Sequence, residues 1–270
     1  MKKSLLVLFI VLILATGTVM AEEGGLGIEV GVELKTPNVN NADEFPLVVK
    51  PFVEYENTFD DFYVYAELAV PMGLVGDAKH HDEVTVDVTL EFEFAYSLKL
   101  AAASTLTFGL WGELEIPVAP SGEDVLLPLE PYVKFNQNMD FGDLYLKLGV
   151  PIAFLNTYDD EFYMGLNPVF GWASTFGLGV EVTPHFMFLP SDYVETYNGL
   201  TVFFSYGIDH IYGELEFNIP KEFDYGMGIG LYLQYSMHPF TFYVGSNFDN
   251  IGADGIDLSI SPYIGFKYGF

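Results

Sequence analysis

From Glu83 to Leu98 every second residue is apolar. The even positions read Val84, Val86, Val88, Leu90, Phe92, Phe94, Tyr96 and Leu98. The odd ones read Glu83, Thr85, Asp87, Thr89, Glu91, Glu93, Ala95 and Ser97. A strand sends neighbouring side chains to opposite faces, so this segment has one greasy face and one acidic face. It is also long, because strands of globular proteins usually hold about 5–6 residues. The same period of two recurs along the chain and predicts fourteen strands. They lie at 25–35, 46–57, 61–72, 83–98, 104–116, 127–136, 142–154, 161–172, 176–188, 200–208, 211–219, 225–236, 240–248 and 256–270. If the weaker pair 200–208 and 211–219 is not strand, the count falls to twelve. No convincing helical i, i+3, i+4 segment competes with this reading.

The connections alternate in length. Short ones lie near 58–60, 99–103, 137–141, 173–175, 209–210 and 237–239. Longer ones, rich in Asp, Glu, Gly, Asn and Pro, lie near 36–45, 73–82, 117–126, 155–160, 189–199, 220–224 and 249–255. Short turns at one rim and longer loops at the other are the habit of transmembrane barrels, as is an even strand number. A closed barrel also removes the edges of such sticky strands. The predicted fold is therefore all-β, a transmembrane antiparallel barrel. Outward-parity aromatics next to the short turns are Tyr55, Phe62, Tyr96, Phe135, Trp172, Phe176, Tyr206, Tyr235 and Phe240, an expected girdle at one membrane boundary.

Prolines punctuate the pattern. KPFVEYE from Lys50, EPYVKFN from Glu130, NPVFGW from Asn167 and SPYIGFKYGF from Ser261 open strands in related ways. Pro71, Pro117, Pro151 and Pro220 follow apolar residues near strand ends. The spacing suggests a repeat of one hairpin per unit. Proline cannot donate to the ladder, so each predicts a gap or bulge, and Pro168 and Pro262, well inside strands, predict local bulges.

The N-terminus changes the compartment. Lys2 and Lys3 precede the apolar run Leu5–Leu14, and Val19-Met20-Ala21 supplies a small residue at −1 and a tolerated one at −3 for cleavage after Ala21. This is the pattern of a signal peptide at 1–21, followed by one barrel domain at 22–270. Removing the two leading lysines leaves eight basic residues against 38 acidic ones, a net charge of about −30. The chain has no arginine. That balance excludes nucleic acid, which demands basic residues against its phosphates. With no cysteine, disulfide and thiolate chemistry are excluded too.

Ile256, Leu258, Ile260, Ile264, Phe266, Tyr268 and Phe270 share one face of the last strand, which ends at Phe270. This resembles the C-terminal assembly signal of bacterial outer-membrane β-barrels. The resemblance implies an outer-membrane location, contact with outer-membrane lipid, and handling by periplasmic chaperones and the barrel-assembly machinery. Ile264, Phe266, Tyr268 and Phe270 would carry the signal. By size the chain is similar to monomeric fourteen-stranded porins.

Function is expected on the inner face. Inward-parity acids are Glu29, Glu33, Glu54, Glu56, Glu67, Asp87, Glu91, Glu93, Glu113, Glu115, Glu130, Glu181, Glu214 and Glu216. Inward lysines are Lys35, Lys50, Lys99, Lys134, Lys147 and Lys267. Charges of this kind need water or partners. A wet acidic lumen would concentrate cations and repel anions, which predicts passive diffusion of small cationic or neutral solutes. Phe52, Tyr63, Tyr65, Trp111, Tyr132, Tyr145, Tyr163, Phe203, Tyr212, Tyr232, Tyr243 and Tyr263 also point inward. If they fill the lumen, a non-conducting surface barrel with an adhesive or envelope-structural role is the alternative, and a transporter of apolar solutes is a third. With the strand pattern starting by Leu26, no N-terminal plug is expected. An enzyme is not expected, and neither is a cofactor or a metal. His80 and His81 in KHHDE, the TYDDE run from Thr157 and the pair Asp60-Asp61 read as solvated loops. His185, His210 and His238 have no spaced serine or aspartate partner.

Overall fold

The computed structural model describes residues 28–35, 47–75, 83–119, 125–155, 162–189, 199–221, 226–253 and 258–269. The predicted signal peptide, most of the longer connections, KHH, TYDDE and Phe270 lie outside them. The described chain consists of strand segments joined by tight turns. In order they are β1 (Ile28–Lys35), β2 (Leu47–Phe59), β3 (Phe62–Ala69), β4 (Met72–Val75), β5 (Glu83–Ala101), β6 (Ser104–Ala119), β7 (Leu126–Met139) and β8 (Gly142–Gly149). Then come β9 (Ile152–Leu155), β10 (Phe162–Ser174), β11 (Leu178–Leu189), β12 (Gly199–Ile208), β13 (Ile211–Pro220), β14 (Met227–Met237), β15 (Phe240–Ile251) and β16 (Ser259–Gly269). Every pairing is antiparallel. The first segment, β1, pairs with β2 on one side and β16 on the other, so the sheet closes and has no free edge.

Sixteen segments make fourteen staves. The segments β3 and β4 form one stave, since both pair with β2 and with β5. The register does not change across Val70-Pro71, where Ala69 faces Thr89 and Met72 faces Val86. Likewise β8 and β9 form one stave across Val150-Pro151, with Gly149 facing Asn167 and Ile152 facing Met164. Proline removes one donor and nothing else from the ladder. The Pro71 carbonyl still accepts from Asp87 N at 3.1 Å, and that of Pro151 from Gly165 N at 2.9 Å. These two prolines therefore interrupt their staves without closing them. The count of fourteen includes the pair β12 and β13, which sets the twelve-strand alternative aside.

The other prolines divide between bulges and gaps. Opposite Pro117 the register shifts, because Val86 faces Ala119 while Asp87 faces Pro117, which leaves Val118 as the extra residue of a bulge. The local bulges expected at Pro168 and Pro262 are absent. Pro168 pairs with Leu148 in unbroken register, and only its other edge lapses, where pairs with β11 jump from Leu166 to Phe170. Pro262 pairs with Ser246 in unbroken register. At Pro168 the missing N–H coincides with that gap on one side.

The strands run further into the turns than periodicity indicates, and several short connections shrink to two residues. Asp60 and Asp209 open such turns in the left-handed region, with φ of 53° and 50°, which short polar side chains tolerate better than others. Above the turns the outward positions are apolar and exposed, among them Leu144, Leu146 and Leu148, Leu231 and Leu233, and Phe242 and Val244. Phe62, Tyr96, Phe135, Phe176, Tyr206, Tyr235 and Phe240 are exposed next to the short turns. Such a belt is unfavourable in water and matches the hydrocarbon of a bilayer, with an aromatic rim at its boundary.

Candidate functional site: the lumen wall

The inner face is identified by contacts that reach over a stave. Lys267 on β16 bonds Glu54 on β2 at 2.7 Å, across β1. The Tyr132 hydroxyl on β7 donates to Glu93 on β5, across β6, and that of Tyr145 on β8 donates to Glu181 on β11, across β10. Only the concave side of a closed sheet allows such short cuts. The opposite parity carries the exposed apolar belt. The acids Glu54, Glu56, Glu67, Asp87, Glu91, Glu93, Glu113, Glu115, Glu130, Glu181, Glu214 and Glu216 all lie on the lumen parity, as do Lys50, Lys134, Lys147 and Lys267. Ile264, Phe266 and Tyr268 lie on the lipid parity of β16, where Phe266 packs against Phe240 and Phe242.

Register brings the acids together in a way that parity alone does not reveal. Glu29 faces Glu54, Glu54 faces Glu67, Glu67 faces Glu91, and Glu91 faces Glu113. Five neighbouring staves thus place five carboxylates in one continuous cross-strand row. Directly opposed like charges destabilise a sheet. Two lysines offset part of the repulsion. Lys267 reaches Glu54 at 2.7 Å and Glu29 at 3.7 Å, and Lys50 reaches Glu67 at 2.6 Å. Glu91 accepts from the Trp111 indole at 2.9 Å. Glu91 and Glu113 form no ion pair among the described residues.

The remaining wall is mixed. Lys147 pairs with Glu130 at 2.8 Å. A chain of hydrogen bonds then runs from Glu130 to Asn167 (3.3 Å), His185 (3.0 Å), Thr201 (2.8 Å), Asn218 (2.7 Å) and Glu216 (2.5 Å). His185, a lone inward histidine in the sequence, is thereby tied to Asn167 and Thr201 on neighbouring staves. His210 and His238 sit at the short turns. The tyrosine hydroxyls mostly end on acids or amides of the wall, as with Tyr63 on Glu56, Tyr212 on Glu214 and Tyr232 on Gln234.

Several inward rings lie flat over inward glycines of a neighbouring stave. A Cβ built on Gly31 would collide with Phe52, on Gly109 with Tyr132, on Gly171 with Tyr145, on Gly245 with Tyr263 and on Gly265 with Tyr243. Phe52, Tyr132 and Tyr243 are buried as a result. Glycine here provides room for a ring, which covers the backbone in return.

An eighty-residue repeat underlies part of the wall. Lys50-Pro51-Phe52 corresponds to Glu130-Pro131-Tyr132, and Val70-Pro71 to Val150-Pro151. Val70 N bonds Pro51 O at 3.0 Å, and Val150 N bonds Pro131 O at 2.9 Å. The ion pair Lys50–Glu67 recurs as Glu130–Lys147 with its polarity reversed. Aligning the two Val-Pro steps would have exposed this in the sequence.

No protein-family model and no curated protein matches the chain. Among solved structures, CdiB from Acinetobacter baumannii superposes with a TM-score of 0.50 at 7% identity, over 90% of this chain and 60% of CdiB. The KdgM porin in complex with disordered oligogalacturonate gives 0.43 at 12% identity, over 90% of this chain and 99% of the porin. The outer membrane phospholipase A from Escherichia coli gives 0.46 at 9% identity, over 94% and 96%. The chain is a closed fourteen-stave antiparallel β-barrel, and its likeness to these structures is one of fold.

Proposed function

We propose that the chain is a passive channel of the bacterial outer membrane that favours small cations and neutral solutes over anions. The observation that carries this is the row Glu29–Glu54–Glu67–Glu91–Glu113, in register across five staves. In a dry interior each uncompensated carboxylate would cost several kcal/mol. Water and mobile counter-ions in the lumen remove most of that cost, and the same negative wall then enriches cations and repels anions. The reading assigns the chain no chemistry. Lipid, assembly machinery and chaperones are its expected partners, reached through a signal peptide at 1–21 and the last strand.

The test is single-channel recording in a planar bilayer under a KCl gradient. Discrete steps with a reversal potential of the cation-selective sign are expected. An absence of steps, or selectivity for chloride, overturns the proposal. The burial of Phe52, Tyr132 and Tyr243 favours the second reading, a non-conducting surface barrel. Absent steps from a correctly folded barrel are what that reading predicts.

A further inference from the structure

The wall contains ammonium groups resting on glycine-backed rings. Lys134 Nζ lies 4.1 Å above the Tyr145 ring, Lys147 Nζ 4.4 Å above Tyr132, and Lys267 Nζ 5.7 Å above Phe52. Each of those rings covers an inward glycine of the next stave, Gly171, Gly109 or Gly31, and turns its other face to the lumen. The negative face of an aromatic ring attracts a cation there.

Tyr263 is built in the same way. It covers Gly245 and packs beside Tyr243, which in turn packs beside Tyr232. Among the described residues no lysine lies over Tyr263 or Tyr232. Both rings instead line an open recess of about 220 Å³ in the lumen wall, together with Glu214, Glu216, Asn218 and Asp249. Glu214 accepts from Tyr212 at 2.7 Å and Glu216 from Asn218 at 2.5 Å, which holds their carboxylates on the wall. Neither forms an ion pair among the described residues. On the adjoining arc, by contrast, Glu29, Glu54 and Glu67 hold lysines of the chain itself.

We infer that this recess between β13 and β16 is a subsite for organic cations with a compact ammonium head on a short alkyl chain, taken from outside the protein. The ring face of Tyr263 receives the cation as the rings of Tyr145 and Tyr132 receive lysines. Glu214, Glu216 and Asp249 supply the counter-charge, and the amide of Asn218 orients Glu216. The inference rests on the channel reading and sharpens it, because it names a class of solute and the place in the wall where that solute pauses.

The probe is n-butylammonium chloride, a mimic of the lysine side chain, with n-butanol as the uncharged control. Each is titrated calorimetrically at low salt into the full barrel folded in detergent micelles. Saturable binding of the ammonium ion and none of the alcohol is expected. Tyr263→Leu and, separately, Glu216→Gln should each weaken binding about fivefold, while Tyr263→Phe should retain it. Glu216→Gln keeps the test decisive if loss of the Tyr263–Gly245 contact impairs folding. No binding to the unaltered barrel, or binding by the Leu and Gln variants as tight as that of the unaltered barrel, overturns the inference. Conduction is read separately. A barrel that conducts cations without binding butylammonium loses the subsite alone, and one that binds it without conducting loses the channel alone.

Discussion

Glu91 stands in the middle of the carboxylate row, between Glu67 and Glu113. Directly opposed side chains in a sheet are about 5 Å apart at Cβ. Two unit charges at that distance repel by about 0.8 kcal/mol in water, and physiological salt screens this to about half. Lys50 offsets part of the charge on Glu67, so the two contacts together amount to about 0.5–1 kcal/mol. Glu91→Gln removes that repulsion, and the glutamine carbonyl still accepts from Trp111. The variant should therefore be more stable than the parent by about 0.5–1 kcal/mol. Glu113→Gln, which relieves one contact, should gain about half as much. Lys50→Met, which removes the counter-charge, should lose stability. Urea unfolding in micelles, followed by tryptophan fluorescence, measures all three, and the differences should shrink as salt rises. Loss of stability in Glu91→Gln would refute the reasoning, since the row would then be held together by something the carboxylates bind rather than strained by their mutual repulsion.

The reversed ion pairs make a second prediction. Lys50→Glu should cost about 1–2 kcal/mol, while adding Glu67→Lys, which copies Glu130–Lys147 and also relieves the row at Glu54 and Glu91, should recover that loss in the same unfolding assay. Gly171→Ala should cost about 1–3 kcal/mol because its Cβ displaces the Tyr145 ring, and Tyr145→Ala should make the glycine change nearly neutral in a double-mutant cycle. Deletion of Phe270 should leave equilibrium stability nearly unchanged and slow assembly into membranes by the barrel-assembly machinery, measured as the rate of protease protection.

The architecture was legible because a period of two survives in almost every strand. The segment Glu83–Leu98 alone separates a lipid face from a lumen face, and the structure extends it to Glu83–Ala101. Turn positions were legible through Asp60, Asp209 and the length of the apolar runs. Register was not, because it depends on how neighbouring staves slide, and a shift of one residue would exchange the faces. That is why the inward parity of Glu29, Glu54, Glu67, Glu91 and Glu113 could be read while their alignment in one row could not. The prolines misled in both directions. Val70-Pro71 and Val150-Pro151 look like strand ends, yet one missing donor does not stop a ladder held from both sides. Pro168 and Pro262 look like bulges, yet each keeps its register with one neighbouring stave, and Pro168 falls where its other edge is unpaired. Contacts such as Lys134 over Tyr145 are diagonal pairs across neighbouring staves that depend on the same register, and no linear pattern encodes them.

The account depends on water meeting the acids and lipid meeting the apolar rows, and the absence of native cysteine allows a direct measurement. Glu113→Cys and Leu114→Cys, one residue apart on β6, are exposed in lipid vesicles to a cationic, membrane-impermeant methanethiosulfonate. Rapid modification at 113, accelerated by the neighbouring carboxylates, with almost none at 114, is the predicted result. Equal rates at the two positions, or faster reaction at 114, would contradict it.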